Sequence, residues 1–166
     1  IKIATKIIDN FQNIYEEKWL NMMRDKLGLF GNDKNDKVLI NDLLNWMEKN
    51  NADYTNTFCH LMNIKIDNNK SYKDASFINW LNKWQKRVLV NNNSKDKSIK
   101  LMKTSNPIVI PRNHKVEEAL LAANENNIEI MKNLLSVLSN PYENQKNIKD
   151  YQLSSNDNEY QTFCGT

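Results

Sequence analysis

The sequence contains little glycine, cysteine or histidine, and each shortage excludes a kind of functional site. With three glycines in 166 residues, it has no GxGxxG or GxxxxGKS/T motif, and it also lacks HRD and DFG kinase elements. A glycine-rich phosphate cradle is therefore excluded. The two cysteines, Cys59 and Cys164, and the two histidines, His60 and His114, have no spacing typical of metal ligands. We expect no metal site, no bound cofactor and no catalytic residue here.

Arginine is also scarce, and long apolar runs are missing. The net charge is +3, from 23 basic and 20 acidic residues, but only Arg24, Arg87 and Arg112 are arginines. Because arginine is best suited to contact phosphates and bases, nucleic acid is not the expected partner. No apolar run approaches 18 residues and no signal peptide is visible, so we expect no membrane insertion and a cytoplasmic location. We interpret Ile1 as the start of an excised piece of a longer protein or, alternatively, as a processed start.

Apolar residues at helical spacing are abundant, and strand signals are almost absent. This periodicity predicts an all-α domain of about six or seven helices. Gly28 is the expected stop of the first helix. Asp36 is the expected N-terminal cap of the second helix and Asn113 that of the sixth, and the third helix is expected to open at Asp53. The other helices are predicted at about Tyr72–Val90, Asp96–Lys103 and Glu129–Leu138.

Two segments depart from the helical pattern. Asn106–Asn113 carries Pro107 and Pro111 on either side of three apolar β-branched residues. Each proline disfavours helix at the residue before it, so this segment is predicted to be an extended apolar connector. The polar end of the sequence is predicted to be an irregular tail. We therefore expect a helical domain over residues 1–150 and a tail over residues 151–166 that ends in Cys-Gly-Thr.

The densest polar cluster on the connector is Arg112-Asn113-His114. At a helix start, an arginine and a histidine beside unpaired backbone amides would bind an anion or contact another domain. The structural interpretation is that Asn113 caps the helix, Arg112 binds carbonyls or a carboxylate, and His114 is exposed in the first turn. Capping alone accounts for the asparagine, so the structural interpretation is preferred and the anion or interdomain contact is the alternative.

Two further patterns have a functional and a structural interpretation. Trp80 and Trp84 lie one helical turn apart with lysines nearby, an arrangement that would stack single-stranded bases. Their phase with Phe77 favours a buried core instead. Asp33 and Asp36 form an acidic pair without the apolar shielding that raises a catalytic carboxyl pKa. We interpret these two aspartates as solvated charges.

Cys164 lies close to the C-terminal end of the sequence. Chain ends are usually solvated, and an exposed cysteine tends to be retained for its reactivity. Cys164 is therefore either an accidental tail residue or a thiol that forms a mixed disulfide, pairs with a cysteine elsewhere in a parent protein or senses oxidant. Composition alone leaves both interpretations open.

Several segments resemble one known family along nearly the whole sequence. They are Met23–Leu29 (MRDKLGL), Ala52–Phe58 (ADYTNTF), Asn106–Glu117 (NPIVIPRNHKVE) and Tyr160–Thr166 (YQTFCGT). With these segments the sequence resembles the C-terminal region of selenoprotein O (YdiU-type) proteins. The Arg112-Asn113-His114 cluster and the tail are the most distinctive parts of the match.

The resemblance implies a parent protein with a kinase-like, pseudokinase domain that transfers AMP from ATP to Ser, Thr or Tyr hydroxyls of proteins, with Mg²⁺ or Mn²⁺. The nucleotide and metal residues of that family belong to the upstream domain, and none can be assigned to this sequence. Cys164 occupies the place where family members carry selenocysteine or cysteine, which implies a redox role. The kinase-like domain and the parent's protein substrates are the implied partners. The alternative is a stand-alone helical module that binds protein or, through the tryptophans or Lys95–Lys103, nucleic acid.

Overall fold

A computed structural model describes residues 2–66, 69–90, 93–146 and 148–155. Throughout these residues the regular secondary structure is helical, which confirms the predicted all-α fold. The described helices are α1 Lys2–Lys26, α2 Asp36–Lys49, α3 Tyr54–Leu61, α4 Ala75–Val88, α5 Lys95–Ser105, α6 Asn113–Asn124, α7 Glu129–Leu138 and α8 Lys149–Gln152, with a 3-10 turn at Lys70–Lys73. None of them is long and apolar enough to cross a membrane.

The chain forms two compact units, and each unit combines two separate segments of the sequence. Unit 1 consists of residues 1–52 and 69–105 and contains α1, α2, α4 and α5. Unit 2 consists of residues 53–68 and 106–166 and contains α3, α6, α7 and α8. The predicted boundary between residues 150 and 151 falls inside α8, whose Gln152 is buried. The division into domain and tail itself stays a prediction.

The core of unit 1 is a row of aromatic rings between α2 and α4. Trp46 lies 4.5 Å from Phe77 between ring centroids, and the Trp80 and Trp84 rings stack at 6.2 Å. Both tryptophans of α4 are buried, and their indole N–H groups donate to the carbonyls of Leu39 and Leu27 at 2.8 Å. Because these rings and their polar atoms are turned inward, the core interpretation of Trp80 and Trp84 is confirmed and they form no base-stacking surface.

Helix α1 ends where the glycine predicts. Gly28 has φ +65°, its N–H donates to the Asp25 carbonyl, and the N–H of Leu29 donates to the Arg24 carbonyl. This is the Schellman arrangement, in which a residue in the left-handed region closes the last helical turn. Helix α5 also packs closely here. The Ser98 hydroxyl donates to the Gly28 carbonyl at 2.6 Å, and a β-carbon at Gly28 would lie 2.6 Å from the Ser98 carbonyl oxygen.

The connector in unit 2 is extended and apolar as predicted. Ile108 and Val109 are buried, and the N–H groups of both residues point to the Pro141 carbonyl, at 2.7 and 3.4 Å. Gln152 of α8 donates its amide to the Ile108 carbonyl at 2.8 Å. Thus hydrogen bonds tie the connector to the loop after α7 and to a short helix that the sequence did not indicate.

Two predicted helix caps are wrong, and the predicted start of the third helix at Asp53 is confirmed. The third helix opens at Asp53 as expected, and the Asp53 side chain caps α3 by accepting from the Asn56 N–H at 2.8 Å. Asp36 and Asn113 are instead the first residues within α2 and α6, and neither is the cap. The fourth helix also begins later than expected, at Ala75, because Asp74 caps it after the 3-10 turn.

Candidate functional site

Arg112 lies at the centre of a charged cluster in unit 2. Its guanidinium donates to both carboxylate oxygens of Asp53, at 2.5 and 3.0 Å, and to the side-chain oxygen of Asn56 at 3.1 Å. It also donates to the backbone carbonyl of Gln152 at 3.0 Å. The Arg112 and Asp53 side chains are 11% and 16% exposed. One arginine therefore joins the start of α3, the connector and the end of α8.

This geometry agrees with the structural interpretation of Arg112, which binds a carboxylate and a carbonyl. Its neighbours play a different part from the one expected. Asn113 is exposed on the first turn of α6, and the side chain at the cap position, that of Arg112, does not accept a capping hydrogen bond. His114 is half-buried. An anion or interdomain contact at Arg112, Asn113 and His114 stays a prediction, and an anion would have to compete with Asp53 for the guanidinium.

The sequence reasoning missed a second cluster, in unit 1, whose centre is Asp36. This carboxylate accepts from Arg24 at 2.7 Å and from Arg87 at 2.7 and 3.2 Å, and the backbone N–H of Asp33 donates to it at 3.0 Å. The Asp36 side chain is fully buried. Its interpretation as a solvated charge is therefore wrong, because the fold places it between two guanidiniums.

The environment of Asp36 sets its pKa. Burial alone raises the pKa of this carboxyl, since it disfavours the charged form. The hydrogen bonds from Arg87, Arg24 and the Asp33 N–H together outweigh burial, so the pKa lies below its usual range. Arg87 uses its remaining donors on the carbonyls of Phe30 and Gly31, at 3.1 and 2.9 Å. Asp36 is thus held as a carboxylate that ties α1, α2 and α4 together.

One feature of the sequence could have indicated both clusters. All three arginines of a lysine-rich chain take part in them, two on Asp36 and one on Asp53. Arginine offers a planar fork of donors that binds a carboxylate through two hydrogen bonds, which lysine cannot do. In a sequence with so few arginines, each of them was a candidate for a buried ion pair.

A surface cavity of about 370 Å³ lies beside the Asp36 cluster. The residues that line it are Asp33, Asn35, Asp36, Val38, Leu39, Asp42, Lys83 and Arg87. Despite these carboxylates, no group of three or more His, Cys, Asp or Glu in the described part of the chain is placed to hold a metal ion. With Arg24 and Arg87 bound to Asp36 and Arg112 bound to Asp53, these three guanidiniums do not fit the phosphates of ATP.

Of the two cysteines, only Cys59 lies within the described residues, and it is buried in α3. Cys59 is therefore a small residue of the core. Cys164, the predicted redox residue, lies outside the described residues, as does the end of the predicted tail.

Taken together, the described residues define an all-α protein in which buried arginine–aspartate pairs hold helices and loops together. A family model described as "Protein adenylyltransferase SelO" matches residues 2–139. The chain therefore belongs to the SelO family, as its resemblance to selenoprotein O indicated.

Relatives with this chain's sequence pattern are known from several bacteria. The chain is 53% identical over 170 residues to a protein nucleotidyltransferase YdiU of Pelagibacter ubique. It is 45% identical over 170 residues to a protein of the same name from Bacillus mycoides, and 42% identical over 168 residues to one from Clostridium perfringens. All of this chain is covered in each comparison, but it spans only 35%, 35% and 34% of those relatives.

Proposed function

We propose that this chain is the helical C-terminal region of a SelO-type protein adenylyltransferase. In its full-length form this enzyme transfers AMP from ATP to Ser, Thr or Tyr hydroxyls of other proteins, in the reducing cytoplasm. The observation that carries the proposal is the family match over residues 2–139, together with relatives named protein nucleotidyltransferase.

Within this enzyme, the chain supports a kinase-like part that binds ATP and Mg²⁺ or Mn²⁺. The arginines near Asp36 and Asp53 are already engaged with carboxylates, which leaves them poorly suited to bind nucleotide phosphates. Phosphoryl-transfer sites depend on cations and metal ions aimed at the phosphates. The proposal therefore assigns nucleotide binding to the two thirds of the relatives that this chain does not span.

Calorimetry and an AMP-transfer assay test whether nucleotide binding belongs to the part of the enzyme outside this chain. We expect the full-length protein to bind ATP–Mg²⁺ and to attach AMP to Ser, Thr or Tyr of a test protein, detected by mass spectrometry of its peptides. We expect the 166-residue chain alone to give no binding above background. Micromolar ATP binding by the chain alone would contradict the assigned role, and absence of AMP transfer by the full-length protein would contradict the enzyme assignment.

Cys164 is proposed as a redox residue of the same enzyme, paired with a cysteine in the kinase-like part. With oxidised glutathione as the oxidant, the Cys164 thiolate attacks the disulfide and releases one glutathione thiolate. The second cysteine thiolate then attacks the mixed disulfide, forms the intramolecular disulfide and releases the other glutathione. The protein thus gives up two electrons, and glutathione disulfide accepts them. The family position of Cys164 supports this role.

A Cys164→Ser variant of the full-length protein tests the redox proposal. We expect glutathione disulfide to change the AMP-transfer activity of the wild-type protein, and a thiol reductant to reverse that change. The variant should lose this response, and peptide mapping of the wild type without reduction should locate Cys164 in a disulfide. Equal responses of wild type and variant, with Cys164 recovered as a thiol, would refute the role.

A further inference from the structure

Helix α1 carries an apolar face that its own unit leaves uncovered. We call this face the α1 stripe, and it consists of Ile7, Ile8, Phe11, Ile14 and Tyr15. These side chains are between 46% and 71% exposed. At 100° per residue they share one face about 120° wide, and the Phe11 and Tyr15 rings stack at 6.3 Å. A continuous apolar face of this kind on a soluble domain marks a contact surface.

The stripe lies on the part of α1 that extends away from the core of unit 1. All residues from Asn10 to Lys18 are exposed, and the buried residues of this region begin at Met23. The ion pair between Glu16 and Lys37, at 3.0 Å, is on the surface, where it contributes little stability. Helices in proteins gain most of their stability from packing against other elements. This segment of α1 is exposed in its own unit, so it is expected to have a partner elsewhere.

The charges around the stripe favour a protein partner over a membrane. A helix that binds anionic lipid carries lysine and arginine on its polar face. Between Asn10 and Lys18 the exposed charges are Glu16, Glu17 and Lys18, and Glu16 is paired with Lys37, so this segment does not present the basic face that an anionic bilayer binds. The chain also spans only 35% and 34% of relatives that match all of it. A partner inside the same polypeptide has a high effective concentration and needs only a modest apolar surface.

We propose that the α1 stripe packs against the part of the full-length adenylyltransferase that lies outside this chain. The inference rests on the proposed function, because it takes the rest of the enzyme as the occupant. It adds a specific interface: Phe11 and Tyr15 are the central anchors, and Asn13, on the opposite side of the same helix, stays in solvent. Large apolar residues at the centre of a contact provide most of its binding energy.

Cysteine accessibility in the full-length protein tests this interface. Phe11→Cys and the matched control Asn13→Cys are each reacted with a maleimide, and the labelling of the α1 peptide is followed by mass spectrometry. We expect the cysteine at position 11 to react at least about tenfold more slowly than the cysteine at position 13, because a packed site must open before it reacts. Tyr15→Cys provides a second position on the stripe, in case Phe11→Cys disturbs folding. Equal rates at positions 11, 13 and 15 would overturn the proposal.

Slow labelling of the α1 stripe that is caused by a second copy or by a membrane would also overturn the proposed interface. If a second copy covers the stripe, the slow labelling disappears on dilution in step with the loss of a dimer in light scattering. If a membrane covers it, protection appears only with vesicles that contain anionic lipid. The AMP-transfer assay separates this inference from the proposed function. Rapid labelling in an active enzyme refutes the interface alone, whereas slow labelling in a protein without transfer activity refutes the enzyme assignment alone.

Discussion

Asp36 in unit 1 and Asp53 in unit 2 each form ion pairs that are largely shielded from solvent. A buried carboxylate is costly unless cations and hydrogen bonds compensate for the lost hydration. Asp36 receives two arginines, and Asp53 receives both nitrogens of one arginine fork while it also caps α3. Removal of one partner of either aspartate is therefore expected to lower the stability of its unit strongly.

Replacement of Asp36 by asparagine is expected to destabilise unit 1 by about 3 kcal/mol at pH 7, because two nearly buried guanidiniums lose their counter-charge. The pKa of Asp36 is lowered in the folded state. Its stabilisation is therefore complete above the unfolded pKa of about 3.9 and is lost as the pH falls toward the folded pKa. The difference between wild type and variant should then shrink in acid.

Urea unfolding at pH 7 and pH 3, followed by tryptophan fluorescence, measures this difference. Asp42→Asn is the matched control on the same helix, because Asp42 forms only a surface pair with Lys83 at 3.5 Å. We expect the control to change the free energy of unfolding by less than about 1 kcal/mol. A cost of Asp36→Asn that stays constant from pH 7 to pH 3 would contradict the role of the charge.

Several of the described helices end at a residue whose backbone lies in the left-handed region of φ and ψ. Gly28, Asn51, Asn63 and Asn126 have φ between 48° and 65°, and each has the two backbone hydrogen bonds of a Schellman end. Asparagine tolerates this region better than other side chains, though less well than glycine. In a chain with three glycines, asparagine thus ends three helices.

Gly28→Ala is expected to destabilise the chain by about 2 kcal/mol or more. A β-carbon at this position would suffer the strain of the left-handed region and would lie 2.6 Å from the Ser98 carbonyl oxygen, which is backbone and cannot rotate away. Thermal unfolding by circular dichroism measures the loss. The matched variant Asn51→Gly, at another closing position of unit 1, should change stability by less than about 1 kcal/mol. Equal effects of the two substitutions would argue against the close contact at Gly28.

Over the whole molecule, the two units differ in their optical signals. Trp19, Trp46, Trp80 and Trp84 all belong to unit 1, whereas both units contribute helices. Tryptophan fluorescence therefore follows unit 1, and far-ultraviolet circular dichroism follows both units. Separate compact units often open as separate cooperative steps.

Arg112→Lys is expected to destabilise unit 2 by about 2 kcal/mol, because lysine cannot reproduce the paired hydrogen bonds to Asp53. The circular dichroism transition in urea should broaden or shift to lower urea, while the fluorescence transition moves less. Lys132→Arg, on the surface of α7, is the control and should move neither transition. Identical shifts of both signals in Arg112→Lys would mean that the chain unfolds as one body.

Much of the fold could be predicted because helix signals are local. Gly28 as a stop, Asp53 as a helix start and the proline-flanked connector depend on a few neighbouring residues, and the structure agrees with all three. The wrong cap at Asp36 has a tertiary cause. Its carboxylate accepts a hydrogen bond from Arg87, which lies 51 positions away in sequence.

The candidate sites show the same difference between local signals and long-range contacts. The sequence singled out Arg112, but its partners Asp53 and Gln152 lie 59 and 40 positions away. No local pattern could indicate these contacts.

The sequence by itself determined the helical class, the helix end at Gly28 and the family, because periodicity, a glycine stop and motif order need no long-range contacts. Only the tertiary structure decided which charges are buried and which apolar residues remain uncovered. Asp36 and the α1 stripe show why. The environment of a side chain depends on the helices that pack around it, and those helices come from distant parts of the chain.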